Sequence, residues 1–513
     1  MSLFFIGFFI IFFFYISFYV GISLNSGNYT NYIISYTLDT SSNYCLLMLF
    51  FCVSISLFFS IHYFQWSFSY LNSLICFFVL VMITLVISNN LFNSLLGWEY
   101  LGFVSFILIL FYSTYDSVRA ANTTLVSSRF GDVGLFVLIG LTFNYLGYPF
   151  VIFLLCFFLI IATKSACIPF TSWLLEAMRA PTPVSCLVHS STLVAAGIWF
   201  LCHYGYLLEA DYSIYFLIPC IFTIVVSSLS SLFFLDVKKL VALSTCNNIC
   251  WCAVYYFMGF GELCLIQLFS HGVAKCMLFC TVGDILSSSG SNQINSGLYS
   301  GIYQNYFSSL LPCLLILFVS GLPFQGVFFS KHYLLSINSY SFNPLFLIGL
   351  YLCVFLTYLY SFRLFFMVSN IFSGQSSGFQ TSFFFLGGLV IIGCLFNFIL
   401  SYNLEEFLPL FVVFSGVVTL SQLLGLLLSI LFNSNKSTYF SSLLFGQDFL
   451  VYLSSFFFNT ACLGIFYISN FRLERYFSSF LNNLNIFSIN LNGIIQLNIF
   501  FCFMCISAFF LFT

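Results

Sequence analysis

Long apolar runs recur along the whole chain, separated by short polar stretches. They occupy residues 3–22, 44–61, 70–88, 91–112, 122–142, 149–163, 182–204, 213–234, 240–259, 262–286, 307–336, 343–368, 381–401, 408–431, 445–467 and 493–512. A hydrocarbon core about 30 Å thick takes about 20 helical residues to cross, so this pattern predicts an all-α, polytopic transmembrane bundle of about 16 helices. The polar connections are brief: residues 23–43, SSSGSNQINSG at 287–297, SGQSSG at 373–378 and NSNKST at 433–438. No stretch is left over for a soluble domain. Three parts follow from the pattern: N-terminal spanning helices over 1–90, a core over 91–432, and C-terminal helices over 433–513. The last part contains a segment at 469–493, SNFRLERYFSSFLNNLNIFSINLNG, whose mixed charges, asparagines and aromatic residues suit an amphipathic helix or a polar loop, followed by a final spanning run.

Two places break this rhythm in a similar way. One is KSACIPFTSWLLEAMRAPTPVSCLVH, Lys164 to His189, with Pro169, Pro181 and Pro183; the other is GLPFQGVFFSK, where Gly321 and Pro323 interrupt an apolar run carrying Lys331. Paired interruptions of this kind point to a transporter built from two inverted repeats, with discontinuous helices and the transport path at the breaks. Two half-channels are the implied design.

Composition narrows the function. The hydrophobic fraction is 61%, mean hydropathy is +1.09, and 12 basic and 14 acidic residues leave a net charge of −2. No basic face is available for nucleic acid. Most of the 20 cysteines lie in apolar runs, Cys76, Cys156 and Cys353 among them, and read as small core residues. No Lys or Arg precedes Arg119, so the N-terminal run reads as a first spanning helix rather than a cleaved signal, and the positive-inside rule has little to count. The 76 Phe, with abundant Tyr, Ser and Leu, fit a T-rich organellar coding bias. Nucleotide, haem and iron–sulfur motifs are missing, so neither a bound cofactor nor a metal is expected, and redox chemistry is not expected of this chain.

Against this background the ionisable residues inside apolar runs are the candidate machinery, because such groups face the bundle interior or a wet cavity. Glu99 lies in GWEYLG and needs a cation or water to titrate; Lys164 is the candidate partner. Such a pair serves either as a proton switch or as a static ion pair fixing helix packing. Arg129 and Asp132 share a helix face at a spacing of three, where structural pairing is the simpler role. His271 and Lys275 share a face at a spacing of four, placing an imidazole relay beside a lysine that stores a proton. His189 follows the first break and can link Lys164 to the next site or serve as a satisfied core histidine. Lys331 either snorkels to an interface or ends a wet path. Asp236, Lys238 and Lys239 stand at a junction between two runs and are expected to be surface anchors.

The motifs GWEYLGFVSFILILFY, SSRFGDVGLF, KSACIPFTSWLLEAM, APTPVSCLVHSSTLVAAGIW, DVKKLVALST, HGVAKCMLF and GLPFQGVFFSK resemble, in order and spacing, those of the antiporter-like subunits of respiratory complex I and of multisubunit cation/proton antiporters. The resemblance covers roughly residues 90–365. It implies that Glu99 and Lys164 form the coupled acid–lysine pair, that Lys275 is the central proton-holding lysine, and that Lys331 serves the far half-channel. Arg129, Asp132, His189 and His271 would then be supporting or relay groups. It also implies a subunit of proton-translocating NADH:ubiquinone reductase in the mitochondrial inner membrane, driven by quinone reduction elsewhere in the assembly. Its partners would be other membrane-arm subunits, especially the adjacent antiporter-like subunit 4, and lipids such as cardiolipin. The alternatives are a cation/proton antiporter subunit and a scaffold that does not pump. This chain departs from the family at Gln267, where a second histidine is usual, and at His332, where an acid commonly follows the far lysine. The segment at 469–493 spans under about 40 Å as a helix, shorter than the family's long lateral helix.

Overall fold

In hydrocarbon every backbone N–H and C=O must be satisfied within its own segment, so a long apolar run folds as a helix. The computed structural model describes residues 38–64, 68–143, 150–208, 212–289, 293, 299–301, 306–322, 326–341, 344–369, 372–374, 412–433, 456, 457, 460 and 461. The chain divides into two compact units, Met1–Phe449 and Leu450–Thr513, and nearly all described residues belong to the first.

The helices of that unit are α1 (Thr40–Phe64), α2 (Phe68–Ile87), α3 (Leu91–Ile109), α4 (Tyr115–Phe143), α5 (Phe150–Ser165), α6 (Ser172–Glu176), α7 (Thr182–Leu187), α8 (Leu193–Tyr204), α9 (Ser213–Ser231), α10 (Val237–Phe257), α11 (Gly261–Ser288), α12 (Tyr306–Ser320), α13 (Phe328–Ser341), α14 (Pro344–Ser369) and α15 (Val412–Asn433). Among the described residues, nine helical segments are long and apolar enough to cross a membrane, and three shorter apolar helices accompany them. This is a multi-pass membrane protein. Each predicted run that falls mainly on described residues is helical, and both expected breaks are present. The run at 307–336 divides into α12 and α13 at the Gly321 turn. The runs at 3–22, 381–401 and 493–512, nearly all of 445–467, and the 469–493 segment lie outside the described residues. Among the described residues, one short parallel pairing, Tyr299–Gly301 with Phe372–Gly374, is the exception to all-helical structure.

Burial sorts the helices into a centre and a periphery. The spanning windows over Thr182–Leu207 and Gly261–Ser287 are 100% buried and that over Val237–Phe257 is 94% buried, against 39% for those in α2 and α4. The broken helix α7–α8 and helices α10 and α11 therefore form the interior, and they are the helices carrying His189, Lys238, His271 and Lys275. Apart from Cys76 and Cys202, the described cysteines are buried and none is in a disulfide, as expected of small core residues. Arg363, buried on α14, donates to the carbonyls of Ser231 and Phe234 (2.9 Å to the latter), holding the end of α9 with the cation that a helix C-terminus favours.

Small residues set the closest helix approaches, as is usual where lipid supplies no hydrophobic drive between helices. A Cβ on Gly97 of α3 would lie 2.9 Å from Leu85 Cβ and 3.1 Å from Leu85 Cα on α2, so neither helix can yield without a backbone shift. Gly97→Val is expected to destabilise the bundle by about 1–3 kcal/mol through overpacking. A lowered thermal unfolding midpoint in detergent, with Gly140→Val as the open-space control, checks this.

Candidate functional site

The first break starts where α5 ends. Lys164 and Ser165 close that helix, Ala166 turns the chain with φ +56°, and the Phe170 amide bonds the Cys167 carbonyl at 2.7 Å. Short α6, a single 3-10 turn at Ala177–Arg179 and Pro181 then lead into α7. Nearly the whole stretch is buried, which excludes a surface loop. Beyond α7 the helix widens into a π turn over Val188–Thr192, a local loosening common at functional sites, and His189 sits within it.

Lys164 and His189 line one small cavity with Ser105, Thr124, Ser127, Ser128, Thr163 and Trp173. Its volume is about 10 Å³, room for a single water molecule. Among the described residues the Lys164 ammonium has no hydrogen-bond partner; it lies 5.3 Å from the centre of the Trp98 ring. The carboxylates whose charges act on it are Asp132 and, second, Glu99. Both ring nitrogens of His189 are likewise without a hydrogen-bond partner there.

Glu99 is not paired directly with Lys164. Arg129 takes it, at 2.5 Å, and also reaches Asp132 at 3.2 Å. The forked guanidinium can hold two carboxylates at once, whereas the compact ammonium is buried and joined to neither acid by an ion pair among the described residues. Exposure differs accordingly: 47% for the Arg129 side chain and 30% for Glu99, against 5% for Asp132. The arrangement is a triad whose Arg129 and Glu99 side is open.

Lys238 corrects a second expectation. It is buried, and its ammonium donates to the Ala180 carbonyl at 2.6 Å, within the first break. Lys239, by contrast, pairs with Asp236 at 2.9 Å at the surface, as expected of an anchor. Adjacent helical residues point about 100° apart, so one of two neighbouring lysines turns inward; Lys238 shares its face with Val241 and Thr245, both buried. The charge of Lys238 also acts on His189.

Further along α10, Val241 and Ser244 receive Lys275 from α11: its ammonium donates to the Ser244 hydroxyl and, at 3.4 Å, to the Val241 carbonyl. One face of α11 carries Gln267, His271 and Lys275 in successive turns, all fully buried. The charges of Lys275 and Lys331 both act on His271. Gln267, in the place of the family's histidine, accepts a hydrogen bond from Ser330. Lys331 donates to the Ser320 carbonyl at 2.8 Å and the Thr357 hydroxyl at 3.5 Å, with its ammonium 5.9 Å from the Trp251 ring centre. Among the described residues it has no carboxylate partner. The candidate residues thus form a series through the buried centre, with Glu99 and Arg129 at its exposed end. Sequence reading missed Lys238, Ser244, Thr357, Trp98 and Trp251, whose roles arise from long-range contacts.

Residues 88–359, just over half the chain and every member of the series, match the family described as NADH:quinone oxidoreductase/Mrp antiporter, transmembrane. NADH-ubiquinone oxidoreductase chain 5 of Caenorhabditis elegans is 38% identical over 363 residues, covering 67% of this chain and 68% of that protein. The chain belongs to the NADH-ubiquinone oxidoreductase chain 5 family. The chain 5 fold extends to distant structures. A chain of the Mrp complex from Dietzia sp. DQ12-45-1b superposes with a TM-score of 0.71 at 18% identity, over 92% of this chain and 57% of that one. A chain of respiratory complex I from Thermus thermophilus with bound NADH gives 0.63 at 18% identity, over 77% and 86%.

Removing a charged donor from a buried carbonyl costs about 1.5–3 kcal/mol, so Lys238→Met is expected to loosen the first break of this chain 5 family member while Lys239→Met leaves it unchanged. Hydrogen exchange at the amides of Ala180, Thr182 and residues 184–187 checks this. The expected outcome is exchange about 10-fold or more faster in the first variant only.

Proposed function

We propose that this chain carries protons across the mitochondrial inner membrane as a membrane-arm subunit of respiratory complex I, along the series Lys164, His189, Lys275, His271 and Lys331. The observation that supports this reading most is that all five side chains are buried, that Lys164, His189 and Lys331 lie at the two helix breaks, and that Lys275 and Lys331 rest on neutral acceptors alone among the described residues. An ammonium held this way keeps its charge at a cost of several kcal/mol, so a modest change in the local field changes its proton occupancy. Moving one charge through 100 mV takes about 2.3 kcal/mol, which is of the same size.

In the mechanism, Arg129 is the coupling element. Charge rearrangement in a neighbouring subunit draws Arg129 outward, which frees Glu99 and Asp132 to act on Lys164. A charged Lys164 then disfavours charge on His189, and the shift passes through His189 to Lys275. His271 couples Lys275 to Lys331, which releases the proton at the far end. The energy comes from quinone reduction elsewhere in the assembly, so the chain takes part in NADH:ubiquinone reduction without redox chemistry of its own. The open side of the Glu99–Arg129 pair, on spanning helices α3 and α4, cannot rest against lipid tails; it faces the adjacent antiporter-like subunit 4, and lipids such as cardiolipin fill the remaining groove.

Lys275→Met and Lys331→Met test the reading in sealed vesicles containing the assembled complex. NADH oxidation is expected to continue with fewer protons translocated per NADH oxidised. An unchanged ratio in both variants would remove these lysines from the path.

A further inference from the structure

The ammonium groups at the two ends of the series share a feature that their hydrogen bonds do not explain. Lys164 on α5 sits 5.3 Å from the ring centre of Trp98 on α3, and Lys331 on α13 sits 5.9 Å from that of Trp251 on α10. Both indoles are fully buried, and among the described residues neither indole N–H has a hydrogen-bond partner. The polar edge of each ring is therefore not what fixes it. At the first site, Gly102 lies one turn beyond Trp98 on the same face of α3, and a Cβ there would come within 3.7 Å of the Lys164 ammonium. At the second, a Cβ on Gly321, just ahead of the helix that bears Lys331, would lie 3.4 Å from the Lys331 Cδ.

We infer that Trp98 and Trp251 are paired cation seats: each offers an indole face to the ammonium of its lysine and so stabilises the protonated form deep in the bundle without a direct ion pair. An aromatic face suits this task because its attraction for a cation is electrostatic and grows when water is excluded, yet it carries no net charge. A carboxylate in the same place would hold the proton permanently. Trp98 also precedes Glu99 directly, so any shift of α3 that re-aims the acid moves the seat with it. Trp98 and Trp251 are positioning residues, and their role rests on the proton-series reading above.

The test is a double-mutant cycle in the assembled complex, with Trp98→Phe, Trp98→Leu, Lys164→Met and Trp98→Leu combined with Lys164→Met. Two quantities are read: the amount of intact complex, and protons translocated per NADH oxidised in sealed vesicles. A desolvated cation–π contact is worth about 10-fold in an equilibrium constant, so Trp98→Leu is expected to lower the proton ratio as far as Lys164→Met does. Trp98→Phe, which keeps a π face, retains most of it. The double variant is expected to do no worse than Lys164→Met alone, because a seat without its cation has nothing to lose. If Trp98→Leu instead depletes the complex, the lysine substitution restores its amount where the indole is a seat and fails to where it only fills space. Losses that add in the double variant, or a Trp98→Leu complex indistinguishable from the parent, overturn the inference. An unaltered proton ratio in Lys164→Met alone overturns the series reading instead, and the assembly readout still decides the seat. Trp251→Leu with Lys331→Met repeats the cycle at the second site.

Discussion

Backbone carbonyls at the two helix breaks hold two of the buried lysines of this protein, Lys238 and Lys331. Lys238 rests on Ala180 and Lys331 on Ser320, and Lys275 reaches the Val241 carbonyl beside a serine hydroxyl. An unbroken helix in hydrocarbon spends its carbonyls on its own hydrogen bonds, so Lys275 reaches Val241 of continuous α10 only at 3.4 Å, against 2.6 and 2.8 Å for Lys238 and Lys331 at the breaks. Proline and glycine at the two breaks release carbonyls. The breaks, the central position of α7–α8, α10 and α11, and the chemistry of the series are thus one arrangement: the chain gives up regular helix where it needs neutral acceptors for positive charge.

The exposed end is built differently. There the charges are paired, Glu99 and Asp132 with Arg129, and the pair opens toward the outside of the bundle. Charges compensated at the rim and left nearly uncompensated inside make a gradient of electrostatic sensitivity. A rearrangement at the rim changes the field on Lys164, which is held by an aromatic face and a cavity with room for one water. A direct Glu99–Lys164 ion pair would be stable but insensitive, whereas in the proposed mechanism the Arg129 guanidinium, which holds the acids instead, lets an outside partner bias the lysine.

Much of this was legible in the residue pattern. Apolar runs located the described helices, prolines and glycines located both breaks, and charges in hydrocarbon located Lys164, Lys275 and Lys331, because each of these signals is local. The remainder depends on what meets what across the bundle. The residue pattern matched Glu99 with Lys164, and only packing reveals Arg129 as its partner. DVKKL contains two adjacent lysines, and only the orientation of α10 turns Lys238 inward. The π turn at His189 has no residue signature in a stretch of Ser, Thr and Val, and the tryptophans read as ordinary core until the lysines are placed above them.

The central claim is that Lys164 and Lys331 belong to one continuous path. Protons translocated per NADH oxidised, compared between Lys164→Met, Lys331→Met and the combined variant in the same vesicle preparation, tests it directly. A single path predicts that the combined variant loses no more than the worse of the two single variants. Losses that sum would mean two separate routes and would contradict the account.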